Sequence, residues 1–185
     1  MNRAFIKLAI ATVFLSAASF THAASPVDFL GIAWGSPSST VRQVISARPG
    51  VTFVEEQPAF VTFRGGTFGN EDVETWRFEF TDAKFRKATV LFTPKWGKDA
   101  KGFLNDHIET RTRQLIQEKY GKPQFISDVN HRSNNWHFTD ALTPGASRHI
   151  ELFHWWSPDR RIGVTYSDTP ATPATTTKRD PKKDI

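Results

Sequence analysis

Hydrophobic and polar positions alternate most clearly between Glu74 and Phe80. There Trp76, Phe78 and Phe80 point one way and Arg77 and Glu79 the other, the period-two pattern of a half-buried strand. Thr81-Asp82-Ala83-Lys84 then makes a turn, and Phe85 to Phe92 returns as the antiparallel partner. Val51 to Glu55 and Ala59 to Arg64 form two earlier strands, with Gly65-Gly66 and Gly69-Asn70 as turn signals. Val27 to Gly35 forms a short strand or extended entry. Trp136 to Phe138, His149 to Trp156 and Arg161 to Tyr166 make three more strands, the last two joined through Ser157-Pro158-Asp159-Arg160.

Two stretches change period. Val41, Val44 and Ile45 recur at helical spacing after Ser36-Pro37-Ser38-Ser39, where serine suits an N-cap and proline a first turn, and Pro49-Gly50 stops the helix. Leu104, Ile108, Leu115 and Ile116 mark a second helix from about Lys101 to Tyr120, ended by Gly121 and Pro123. The pattern predicts an α+β domain, an antiparallel sheet with two helices packed on one face. Arg42 to Gly50 aligns without gaps on Arg113 to Gly121. Either two related helix-plus-strands halves or chance likeness of two amphipathic helices accounts for that echo.

The two ends of the chain fall outside these patterns. Residues 1–23 have the layout of a cleavable secretory signal: Arg3 and Lys7, an uncharged apolar run from Leu8 to Phe20, and small residues Thr21 and Ala23 before the cut. The run is too short for a bilayer span. Residues 24–168 form the domain, and residues 169–185 a polar and basic tail with too little apolar surface to offset its ordering entropy. The expected location is the periplasm, or outside the cell. No cysteine follows the apolar run, so the product is released and not lipid-tethered.

Composition removes several classes of function. Without cysteine there is no disulfide, thiolate metal site or Cys nucleophile, and 16 Phe with 6 Trp supply the packing. The formal charge of +5 belongs mostly to the ends. Two cations lie in the leader. Four cations and two anions lie in the tail, which leaves 18 cations against 17 anions in the body. A nucleic-acid partner needs a basic face on the folded domain and is not expected.

Phe29-Leu30-Gly31-Ile32-Ala33-Trp34-Gly35-Ser36 and the helix after it resemble the G-I-x-W-G opening of small exported bacterial proteins of unknown function. So do Tyr120-Gly121-Lys122-Pro123, the isolated Trp136, the strand around Ile150-Glu151-Leu152, and Ile162 to Tyr166. The resemblance implies a fold similar to the beta-lactamase-inhibitor-protein-like arrangement, shared with small outer-membrane assembly lipoproteins. It implies no particular chemistry, and the lipidated cysteine of those lipoproteins is missing.

Candidate sites are few. There is no Gly-x-Ser-x-Gly elbow and no phosphate-binding loop before a helix. Glu55-Glu56 and Glu71-Asp72 look solvated. Trp96, Trp155 and Trp156 could form an exposed aromatic patch for an envelope protein, peptide or glycan, since adjacent strand residues face opposite ways. His149 and Glu151 share a strand face, with His137 on a neighbouring strand, and this trio is the candidate metal site; His154 falls on the other face. The sequence implies no cofactor. It favours a non-enzymatic binding module, with a metal-dependent or hydrolytic envelope enzyme as the alternative.

Overall fold

The computed structural model describes residues 25–94, 104–127, 131–139, 145–155 and 161–171, with side chains excepted at 104–106, 125, 127, 131, 132 and 155. Residues 1–23, expected to form a leader, and most of residues 169–185, expected to form a tail, lie outside them, as do Trp96 and Trp156. The strands are β1 (Asp28–Phe29), β2 (Ile32–Ala33), β3 (Val51–Gln57), β4 (Phe60–Gly65), β5 (Thr67–Phe68), β6 (Glu71–Thr81), β7 (Lys84–Phe92), β8 (Phe125–Ser127), β9 (His131–Thr139), β10 (Ser147–Trp155) and β11 (Ile162–Thr169). The helices are α1 (Ser38–Ser46) and α2 (Leu104–Tyr120). The chain is mostly antiparallel sheet with two helices, compatible with α+β.

Strand order in the large sheet is β3-β4-β6-β7-β11-β10-β9-β8, with β5 paired to β6 beyond this line. Every pairing is antiparallel. Each helix therefore precedes a four-strand meander, and the two meanders meet through their last strands. At that seam Val90 pairs with Val164 and Thr89 with Thr165.

Alternation divides the sheet into a core face and an outer face. The core face carries Phe63, Trp76, Phe78, Val90, Val164, Ile150 and Trp136, all buried. Val41 and Ile45 of α1 and Ile108, Ile116 and Tyr120 of α2 belong to the same core cluster. Buried indoles need a partner for their N–H. Trp76 donates to the Gly65 carbonyl at 2.8 Å, and Trp136 to the Gly121 carbonyl at 2.7 Å, which pins the C-terminal end of α2 to β9. Trp34 stacks on Phe85 with ring centroids 4.8 Å apart and donates to the Pro26 carbonyl. Among the described residues no helix is long and apolar enough to cross a membrane.

Several expectations change. The entry segment is a tight hairpin, β1–β2, turning at Leu30-Gly31. Pro37 occupies the N-cap of α1, with no side-chain cap. The strand β8 carries only three residues, too few for periodicity to reveal it. The strand β11 runs through Thr169, paired with Ser147. Glu71 is buried, unlike its exposed neighbour Asp72, and Arg111 of α2 reaches its carboxylate at 3.2 Å. A charged partner from 40 residues away makes that burial tolerable.

Candidate functional site

The outer face takes the alternate residues of the same strands. At its centre the hydroxyls of Thr89 and Thr165 lie 3.2 Å apart across the seam. A shallow depression of about 310 Å³ opens there, lined by Arg77, Glu79, Lys87, Leu91, Glu151 and Phe153 beside the two threonines. On the first meander, Glu79 lies 3.4 Å from both Arg77 and Lys87. The Arg77 guanidinium sits 3.8 Å above the Phe60 ring centre, a cation–π contact that holds it flat on the sheet. On the second meander, Gly163 has no side chain where Phe153 crosses the face: a Cβ there would lie 2.4 Å from the end of the ring.

His137 and His149 stand directly opposite each other on β9 and β10. Their rings stack with centroids 4.3 Å apart and planes 12° from parallel. His149 Nε2 is 2.8 Å from Asn135 Oδ1. Asn135 Nδ2 donates to Ser133 Oγ at 2.8 Å, and Ser133 Oγ donates to Glu151 Oε1 at 2.9 Å. Because the amide nitrogen of Asn135 faces the serine, its oxygen faces the imidazole. His149 then donates from Nε2. Burial holds its pKa below the ordinary value; His137 pushes it the same way, and Glu151 acts in opposition. At the sheet edge the Gln124 side chain continues the ladder, accepting from His137 N at 2.8 Å and donating to His137 O at 3.2 Å.

This arrangement positions side chains and does not resemble a nucleophile with its base. Ser133 is 2% exposed, and its hydroxyl donates to a carboxylate, not to an imidazole. Nucleophilic catalysis needs the hydroxyl within reach of a base and of substrate.

The structure brings His137 and His149 together. Glu151 lies one pair along, opposite Asn135, with its carboxylate held by Ser133. Among the described residues, no group of three His, Cys, Asp or Glu is placed to hold a metal ion. His154 is on the core face, where its Nδ1 lies 3.3 Å from Glu109 Oε2 of α2 with both groups buried. Trp155 ends β10 opposite His131, and its side chain, like Trp96 and Trp156, lies outside the described residues. Sequence reading missed Ser133, Asn135, Arg77, Lys87, Thr89 and Thr165. Alternation in step with the aromatic positions could have assigned these to one face, but not to one cluster. Compared with family models, curated proteins and solved structures, the chain matches none.

Proposed function

We propose that the chain is exported to the periplasm by its leader and acts there as a non-enzymatic binding module. Its outer sheet face takes an envelope protein, peptide or glycan. One observation carries this reading: a broad sheet face with a shallow central depression, where charged, hydroxyl and aromatic side chains are fixed by hydrogen bonds and stacking. Side chains already held in place lose little freedom on binding, which favours recognition. The reading also holds that both helices lie on the core face, supported by the single core cluster that α1 and α2 share with the sheet. That leaves the outer face for a partner. Two related halves are supported by matching order, a helix and then a four-strand meander, and by the echo of Arg42–Gly50 in Arg113–Gly121.

Affinity capture from envelope extract tests the function. The wild type is compared with Arg77→Glu on the outer face, with Trp155→Ala and Trp156→Ala, and with Arg113→Glu at a half-buried position of α2 as control. A discrete partner lost with the Arg77 variant and kept with the control is expected. Identical recovery from all the folded variants would sink the reading. Elemental analysis of the purified chain separates the alternative: a stoichiometric metal lost on His137→Ala or His149→Ala would favour the metal-dependent enzyme.

A further inference from the structure

The two residues that turn β1 into β2 are Leu30 and Gly31, with φ of +55° and +83°. A two-residue hairpin favours positive φ at both positions, since that turn matches the twist of the strands, and Asn, Asp or Gly ordinarily fills the first of them. Leucine there is strained by its Cβ. Strain that a common substitution would relieve is a reason to look for what the side chain does.

Leu30 forms the hairpin bank of a groove of about 250 Å³ between β1–β2 and α2. Leu115, 45% exposed, forms the opposite bank on the helix. Between them runs an aromatic wall: Phe29 and Phe68 have near-parallel rings 6.2 Å apart, and Tyr166 lies 5.0 Å from Phe29. Each bank carries one charge. On the hairpin, Asp28 Oδ1 accepts the Gly31 N–H at 3.0 Å, which fixes the carboxylate at the rim. On the helix, the Lys119 ammonium is held 5.1 Å from the Tyr120 ring centre. No ion pair among the described residues joins Asp28 to Lys119.

We propose that this groove binds a small zwitterion with an apolar body, an apolar amino acid or short apolar peptide. Its ammonium meets Asp28, its carboxylate meets Lys119, and its side chain packs on the Phe29–Phe68–Tyr166 wall. An apolar pocket with a few placed polar groups is the ordinary form of a small-ligand site. Opposite charges on opposite banks favour a ligand that carries both signs over one that carries either alone. The site lies on the core side of the sheet, so it stands or falls independently of the outer face.

The test uses the exported chain and four probes in calorimetric and NMR titrations at millimolar concentration. L-phenylalanine and L-leucyl-L-phenylalanine keep both charges, and which binds tighter separates the two sources. N-acetyl-L-phenylalanine lacks the ammonium and L-phenylalaninamide lacks the carboxylate. Saturable binding of a zwitterion is expected, with each single-charge analogue about tenfold weaker, the effect of one modest charge contact. Asp28→Asn, which keeps the turn's acceptor, should erase the preference for phenylalanine over the N-acetyl form. Lys119→Gln should erase the preference over the amide. Leu30→Asn suits the turn, which offsets the packing Leu30 gives to the core, so that variant still folds while binding weakens by about tenfold. No saturable binding of either zwitterion overturns the proposal, as does equal affinity for the analogues. Binding untouched by Leu30→Asn overturns it too.

Discussion

The hydroxyls of Thr89 and Thr165 meet 3.2 Å apart where the two meanders join, at the centre of the outer face. Replacing either by valine keeps the branched shape and removes one neutral hydrogen bond. The expected cost is about 0.5–1.5 kcal/mol in urea denaturation. Thr165→Arg is the more telling variant. It places a long charged side chain beside the depression on a half-exposed position and removes the same hydrogen bond, so its stability cost is again about 0.5–1.5 kcal/mol. It should abolish partner capture while lowering the thermal transition no further than Thr165→Val does. A partner still recovered in full would count against the outer face.

Gly163 is small because Phe153 and the sheet leave no room. A Cβ there lies 2.4 Å from Phe153 Cζ, 2.8 Å from the Val90 carbonyl oxygen and 2.9 Å from Leu91 Cδ2. The ring can turn away, but the carbonyl belongs to the neighbouring strand and cannot move cheaply. Gly163→Ala should destabilise by about 1–3 kcal/mol, read as a fall in Tm of about 2–4 °C per kcal/mol for a domain of this size. An unchanged Tm would show that the seam between β7 and β11 is looser than described.

Asp168 gathers two arginines. Arg86 reaches Oδ2, and Arg148 Nε reaches Oδ1 at 3.1 Å. Arg148 also donates to the Ser25 hydroxyl at 3.2 Å, tying the start of the described chain to β10 and β11. Asp168→Ala leaves two guanidiniums facing each other without their shared counter-charge. Those groups are 22% and 21% exposed, so water recovers part of the loss, and the expected cost is about 1–3 kcal/mol. Urea denaturation at low and high salt measures it. A cost below a few tenths of a kcal/mol would contradict the bridging role.

His149 has its pKa held below the ordinary 6.5, first by burial and then by His137. The unfolded chain therefore takes up a proton at a pH where the folded chain does not. Stability rises with pH wherever the unfolded state binds more protons. The His149 contribution is thus full above the ordinary value and is lost as pH falls from about 6.5 towards the lower, folded value. Denaturation midpoints from neutral to mildly acid pH should show this slope in the wild type and a shallower one in His149→Gln. Parallel slopes would refute the assignment.

Much of the local structure was legible in the chain. The alternation of Trp76, Phe78 and Phe80 against Arg77 and Glu79 placed β6 and its two faces, and Gly121 marked the end of α2, whereas α1 ends at Ser46, short of Pro49-Gly50. Identical strand faces also put His149 with Glu151 and set His154 apart. Other features depend on contacts between distant residues. Nothing near Glu71 announces Arg111, and nothing near Ser133 announces Glu151. The Leu30-Gly31 turn was hidden because its first residue is one that such turns disfavour.

The sequence by itself determined the periods, the helix stops, the apolar positions that must be buried, and the near-neutral balance of the domain body. These follow from neighbours along the chain, whose spacing alone dictates which side chains share a face. Only the tertiary structure decided that the meanders join β7 to β11 and that Thr89 meets Thr165. It likewise decided that His137 stacks on His149 beside the Asn135–Ser133–Glu151 chain, and that Leu30 faces Leu115 across a groove. Such meetings depend on which strands pair and in what register, a choice set by the burial of the whole core and by no local stretch of residues.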